Sequence, residues 1–317
     1  MSAPRSEQID INSTPYYHVM ARCVRRSYLC GIDSVSKKDY SHRKQWIISR
    51  LKFLAQIFSI KIAAYAVMSN HYHVVLFVDN DAVKKWTEDE VKSRWASIFP
   101  KDAKKCAHIN AKIPIWRERL ASISWFMRCI NETIAVASND EDGCSGRFWE
   151  GRFKCQALLD EGALLSAMAY VDLNPIRAGI AQTPEQSEFT SIYERIQCLG
   201  ATDKFKKTPK QPARLLPLLN NSKVTKPKIE IELATYLELV DYTGRVFRED
   251  KVGAIPESLP LILRRLNFDG PGWISMVKNM HHCFSHAIGS EVLLVDFSKN
   301  KKRTLKGLSV AKQSYLI

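Results

Sequence analysis

Two apolar segments joined by a short turn form the most strongly β-like stretch of this chain. The first is IKIAAYAVM at residues 60–68 and the second is HYHVVLFV at residues 71–78, with Ser69 and Asn70 between them. Their β-branched, aliphatic and aromatic residues predict two strands that pair as a hairpin. Because side chains two residues apart on a strand share a face, His71 and His73 project together and Tyr72 points the opposite way.

Two neutral imidazoles on one face can supply two ligands to a divalent metal ion. The His-x-His spacing is a weak pattern by itself, since two partly exposed histidines near the end of a strand give the same spacing. From these residues alone, both interpretations of His71 and His73 stay open.

The flanking sequence alternates between strand-like and helix-like patterns. Strands are predicted at residues 16–24 and 146–160, and helices at residues 39–58, 115–138 and 162–173. A polar, lysine-rich insertion occupies residues 80–114. This order predicts an α+β fold with a small antiparallel sheet and helices on one face of it.

The composition changes after residue 200. The segment ATDKFKKTPKQPAR, residues 201–214, is basic, contains prolines and has few apolar residues, which predicts a linker. Residues 215–317 carry helical patterns and a basic tail. We therefore predict a first domain at residues 1–200, a basic linker at residues 201–214 and a small helical domain at residues 215–317.

The chain has a formal net charge of +14, which favours a polyanionic partner such as nucleic acid. No segment approaches the roughly 20 apolar residues that a membrane span requires, and the N-terminus lacks the order of a secretion signal. The 8 cysteines are scattered without a C-x-x-C pair. That usage argues against a zinc ribbon or a disulfide scaffold and predicts a reducing cytoplasm.

Tyr170 and Asn174 are four residues apart, so a helix would place them on one face. Their chemistry alone has ordinary structural explanations. A tyrosine at the edge of a core keeps its hydroxyl in solvent. An asparagine before Pro175 is typical of the N-cap of a new helix.

Three segments resemble those of the single-tyrosine HUH transposases, in the same order and at about the same spacing. They are VMSNHYHVVLFV, GRFWEGRFKCQALL and YVDLNPIRAGI, and they are similar to the bacterial REP-associated tyrosine transposases in particular. The resemblance covers residues 16–196. It implies a ferredoxin-like HUH endonuclease core, and a cytoplasmic, nucleoid-associated protein that is a monomer or a homodimer.

The resemblance also implies roles for individual residues. Tyr170 matches the nucleophile, His71 and His73 match the metal-binding histidines, and Asn174 matches a position that often supplies a third ligand. The implied cofactor is a divalent metal, Mg²⁺ or Mn²⁺. The implied reaction is attack on a phosphodiester of single-stranded or hairpin DNA, which leaves a 5′-phosphotyrosine and a free 3′ hydroxyl.

Basic residues near these motifs predict contacts with DNA phosphates, because guanidinium and ammonium groups pair with them. They are Arg22, Arg25, Arg26, Arg147, Arg152 and Lys154. Two alternatives stay open, a DNA-binding regulator that no longer cuts and a nuclease of the replication-initiator type. The retention of His71, His73 and Tyr170 argues against the first, and the segment YVDLNPIRAGI argues against the second.

Overall fold

The structure is a computed structural model, and it describes residues 8–24, 29–33, 37–105, 109–200, 211–219, 227–247, 263–301 and 305–316. Arg25, Arg26 and most of the predicted linker lie outside the described residues. Within those ranges, we find no helix with the length and apolar character that a membrane crossing needs.

A five-stranded sheet forms the centre of the fold. The strands in chain order are β1 (Tyr16–Arg22), β2 (Ile60–Val67), β3 (His71–Val78), β4 (Lys154–Leu158), the separate two-stranded pair β5 (Leu218–Leu219) and β6 (Ile229–Glu232), and β7 (Ala287–Ile288). The order across the sheet is β2-β3-β1-β4-β7. Every neighbouring pair is antiparallel except β4 and β7. The predicted hairpin of β2 and β3 is confirmed, and β4 is shorter than the strand predicted there.

Helices fill the intervals between the strands. They are α1 (Arg43–Ile57), α2 (Asn80–Lys85), α3 (Glu88–Ile98), α4 (Pro100–Lys105), α5 (Ile109–Leu120), α6 (Ile123–Glu141), α7 (Glu161–Asp172), α8 (Asn174–Arg177), α9 (Ser191–Gly200), α10 (Leu233–Phe247), α11 (Gly270–Cys283), α12 (Glu291–Asn300) and α13 (Leu308–Ser314). The prediction of one helix over residues 115–138 is wrong. Ser122 starts α6 by accepting a hydrogen bond from the Trp125 amide, so the chain breaks between α5 and α6.

Helices cover both faces of the sheet, so the prediction of helices on one face is also wrong. Tyr72 points toward α6, where its hydroxyl donates to Asn131 Oδ1 at 2.6 Å. His73, the next residue, points to the opposite face and meets Tyr170 of α7. The reason lies in β3 itself. Its Val74, Val75 and Leu76 are all buried, whereas a strand with one solvated face would alternate apolar and polar residues.

Helix α7 is buried along its length between the sheet and the C-terminal helices α10 and α11. Its N-cap, Asp160, accepts a hydrogen bond from the Ala163 amide at 2.7 Å. The same carboxylate accepts hydrogen bonds from the Ser290 amide and the Tyr315 hydroxyl. Residues beyond 215 therefore join the core that contains α7. The boundary between two separately folding domains stays a prediction.

Candidate active site

Three histidines meet on one face of the sheet because of the register between β1 and β3. Met20 lies opposite His73 and Arg22 lies opposite His71, and His18 shares their face two residues earlier. His18 Nε2 lies 2.9 Å from His73 Nδ1. The rings of His71 and His73 meet edge to face, with their centroids 4.8 Å apart. The structure thus brings His71 and His73 together, while their role as metal ligands stays a prediction.

Tyr170 faces this histidine cluster from α7. Its ring centroid lies 5.5 Å from that of His73 and 6.0 Å from that of His18. The tyrosine is buried, and the guanidinium of Arg177 lies 4.5 Å from the centroid of its ring. Tyr170, which matched a nucleophile, therefore contacts His73, which matched a metal ligand. His73 in turn contacts His71, the other matched ligand.

Hydrogen bonds determine which nitrogen of His18 and His73 carries the proton. Gln156 Nε2 donates to the main-chain oxygen of Phe284 at 2.9 Å, so Gln156 Oε1 is the atom that faces His18 Nδ1, at 2.9 Å. An amide oxygen only accepts, hence His18 Nδ1 bears a proton and His18 Nε2 offers its lone pair. That lone pair accepts from His73 Nδ1, which leaves a lone pair on His73 Nε2.

His71 has the same tautomer as His73, with its proton on Nδ1, because of a contact with the preceding residue. Its Nδ1 donates to Asn70 Oδ1 at 2.5 Å. In the neutral ring the remaining lone pair is then on Nε2. Both candidate ligands therefore present a metal-binding nitrogen, and both are held by a hydrogen bond on the other nitrogen.

Burial keeps the three histidines neutral at physiological pH. It lowers the pKa of His18 to about 4, against a weaker opposing effect of the Gln156 hydrogen bond. Burial, with Arg22 and His281 as smaller causes, lowers the pKa of His71 to about 4. The pKa of His73 is well below 6.5 because of burial first, then its histidine neighbours. Neutral imidazole is the form that binds a metal ion.

The buried histidines predict that the metal-free protein loses stability in mild acid. Each has a folded-state pKa below its unfolded value of 6.5, so the stability it contributes is full above pH 6.5 and is lost toward pH 4. Buried Asp172 has a raised pKa of about 6, so its protonation stabilises the folded protein as the pH falls from about 6 to 3.8. The opposite effect of the three histidines is larger than the effect of this one carboxyl group. We expect the free energy of unfolding to fall by an amount on the order of a few kcal/mol between pH 7.5 and 4.5. Urea titrations with a chelator at pH 7.5 and 4.5 measure this fall. Equal free energies of unfolding at the two pH values would contradict the prediction.

Asn174 is buried, but no hydrogen bond among the described residues joins it to His18, His71 or His73. It is the first residue of α8, and Leu173 occupies the N-cap position, so the explanation of Asn174 as an N-cap is wrong. Its role as a third metal ligand stays a prediction.

The predicted DNA contacts separate into two groups. Arg22 and Lys154 border the histidine cluster, the first opposite His71 and the second opposite Met20. Arg147 instead folds back on its own loop and donates to main-chain oxygens of residues 149 and 150. Arg152 is exposed beside that loop. Of the predicted DNA-contact residues that the structure describes, Arg22 and Lys154 are the ones that lie at the candidate site.

The sequence patterns do not point to Gln156, Arg177 or His281. For His18, on a strand that neighbours the histidine pair, they allow an approach to the site but favour a structural role. His18 and Gln156 are buried polar residues on β1 and β4, and Arg177 and His281 belong to helices α8 and α11. His281 lines a cavity of about 170 Å³ together with His18, Lys154 and Gln156. A polar residue inside an apolar strand was the available signal for His18 and Gln156. The signal does not say which strands are neighbours.

The comparisons with known proteins add little to this geometry. No protein-family model matches the chain. No curated protein matches it either. The solved structure of a REP-associated tyrosine transposase bound to a REP hairpin aligns with 69% of this chain and 99% of that chain, at 13% identity and a TM-score of 0.39. Similarity at this level decides neither activity nor substrate.

Proposed function

We propose that this chain is a metal-dependent tyrosine endonuclease and transposase that cuts and rejoins single-stranded or hairpin DNA. The observation that carries the proposal is the position of Tyr170, whose ring packs on His73 beside His71. A tyrosine nucleophile next to two neutral histidines suits phosphodiester cleavage, because the histidines can hold a cation where the phosphate would bind.

His71 and His73 would hold the metal ion, Mg²⁺ or Mn²⁺, through their Nε2 atoms. When bound, the ion neutralises negative charge on the phosphate oxygens. Among the described residues, no group of three or more His, Cys, Asp or Glu side chains is arranged to hold a metal ion. Two nitrogens are therefore an incomplete set, and Asn174 is the further residue of this chain that would complete it.

The protein's own residues account for the bond changes. Tyr170 Oη would attack phosphorus, lose its proton to solvent and form a phosphotyrosine. The bond from phosphorus to the 3′ oxygen breaks, and that oxygen takes up a proton as a free hydroxyl. The phosphotyrosine keeps the energy of the broken linkage, so a 3′ hydroxyl can reverse the step without ATP. Arg22, Lys154 and Arg177 add positive charge around the site for the DNA backbone.

An end-labelling experiment tests the polarity of cleavage, that is, which of the two DNA fragments becomes joined to Tyr170. A hairpin oligonucleotide with a single-stranded flank is incubated with the protein and Mn²⁺ and then run on a denaturing protein gel. A label at the DNA 3′ end should move with the protein, and a label at the 5′ end should appear on a shorter free fragment. Binding without any labelled protein band would support the inactive regulator instead. A band that carries the 5′ label would contradict the proposed polarity.

His71→Ala and His73→Ala are each expected to remove metal binding and adduct formation together. One remaining histidine is a poor site for Mn²⁺, and we expect affinity to fall at least tenfold, about 1.4 kcal/mol. Calorimetric titration with Mn²⁺ measures this directly. His42→Ala is the matched control, because His42 is an exposed histidine that contacts Glu141. Unchanged Mn²⁺ affinity in both site variants would place the metal elsewhere.

A further inference from the structure

A continuous line of hydrogen bonds connects the candidate metal ligand His73 to the C-terminal half of the chain. It runs from His73 to His18, from His18 to Gln156, and from Gln156 to the main-chain oxygen of Phe284. Each of the three contacts is 2.9 Å long. Phe284 directly follows α11, so a main-chain atom more than 200 residues away in sequence takes part in the geometry around His73.

We infer that His18 and Gln156 are positioning residues that hold His73 in the tautomer with a free Nε2 lone pair. This role rests on the proposed metal site, because a metal ion needs the Nε2 lone pair and a proton there would block it. The Phe284 carbonyl sets the direction of the whole line. This carbonyl oxygen accepts hydrogen bonds and never donates them. Gln156 must therefore donate to it and accept from His18, and His18 must accept from His73.

Burial makes this control effective. His73, His18 and Gln156 are 1%, 3% and 8% exposed. Bulk water therefore has little access to exchange the proton between the two nitrogens of His73. Gln156 suits its place because an amide combines a donor for Phe284 with an acceptor for His18. Methionine has a similar length but provides neither group at useful strength.

Nitrogen NMR of the histidine-labelled, metal-free wild type tests the inference without any variant. We expect the proton on Nδ1 of both His18 and His73. A proton on Nε2 of His73 would overturn the inference. The spectra involve no DNA, so a failed adduct assay with the expected spectra would sink the proposed function and leave the tautomer assignment intact.

Gln156→Met tests the consequence for metal binding. We expect a mixture of His73 tautomers and a loss of Mn²⁺ affinity of about tenfold or more, the range typical for residues that orient metal ligands. Gln156→Glu keeps an acceptor for His18 Nδ1 and should retain the Nδ1 tautomers and more of the affinity than the methionine variant. If Gln156→Met does not fold, the His73 tautomer and the Mn²⁺ affinity of Gln156→Glu test the positioning role instead.

Gln211→Met is the matched control. Its amide also bridges main-chain groups, with Gln211 donating to the Leu218 oxygen and accepting from the Leu218 amide. We expect unchanged histidine spectra and unchanged Mn²⁺ affinity in this control. Equal losses in the Gln156 and Gln211 variants would indicate general destabilisation and overturn the positioning role. An unaltered His73 tautomer in Gln156→Met would overturn it too.

Discussion

Tyr170→Phe is expected to eliminate the covalent protein–DNA adduct and to leave folding and DNA binding nearly unchanged. The substitution removes only Oη, the attacking atom. The phenyl ring can still pack on His73 and His18 beneath the guanidinium of Arg177. No hydrogen bond from the Tyr170 hydroxyl occurs among the described residues, so the change in unfolding free energy should stay within about 1 kcal/mol. The 3′-labelled hairpin assay and a thermal melt measure both effects.

Tyr193→Phe is the control for the loss of a tyrosine hydroxyl elsewhere. Tyr193 is half-buried on α9. This variant should form the adduct at the wild-type level. If Tyr170→Phe still forms an adduct, another of the 11 tyrosines is the nucleophile. Mass spectrometry of the DNA-linked peptide would then identify it.

Asp172→Ala is expected to be severely destabilising, by more than about 3 kcal/mol. The Asp172 carboxylate is fully buried and accepts three hydrogen bonds, from the Ser191 hydroxyl and the Tyr236 hydroxyl at 2.5 Å and from the Ile192 amide at 2.9 Å. Alanine would leave three buried donors without this partner, at roughly 1–3 kcal/mol for each group that stays unsatisfied. Fully buried Arg195 would also lose a nearby negative charge. Urea unfolding at pH 7 measures the loss.

Asp241→Ala is the control for loss of a surface carboxylate. Asp241 pairs with Arg245 at an exposed i,i+4 position on α10, where the effect should be about 0.5 kcal/mol or less. A loss of less than about 1 kcal/mol in Asp172→Ala would contradict our account of the buried network.

Asp172→Asn separates the charge from the hydrogen bonds. Burial raises the pKa of Asp172 from 3.8 to about 6, against the lowering effects of its hydrogen bonds to Ser191 and Tyr236. The folded protein therefore binds the extra proton between these two values. The stability of the wild type relative to Asp172→Asn should rise as the pH falls from 7 to 4. A constant difference across that range would contradict the raised pKa.

The network at Asp172 also explains why the C-terminal half contributes to the site. Tyr236 belongs to α10, and Asp172 ends the helix that carries Tyr170 two residues earlier. Asp160, at the other end of α7, contacts Ser290 and Tyr315. Both ends of the tyrosine helix are thus tied to residues beyond 215. A composition change at residues 201–214 does not reveal these contacts, because they depend on chain folding and not on local composition.

Local patterns in the sequence determined the strands around residues 16–22 and 60–78, the helix that carries Tyr170, and the shared face of His71 and His73. These features follow from periods of two and 3.6 residues, which depend on near neighbours in the chain. The association of Tyr170 with the histidines came from the resemblance to a known family. No local pattern places it there, since 97 residues separate His73 from Tyr170.

The tertiary structure alone decided which helices cover each face of the sheet and which residues surround His73. Three consecutive buried apolar residues of β3, Val74, Val75 and Leu76, need cover on both faces of the sheet, but this pattern does not say which helices provide it. His18 reaches His73 because of the β1–β3 register, and Gln156 reaches His18 because of the β1–β4 register. Strand register is set by packing and hydrogen bonds between segments 55 and 138 residues apart, so it is decided only when the whole core assembles.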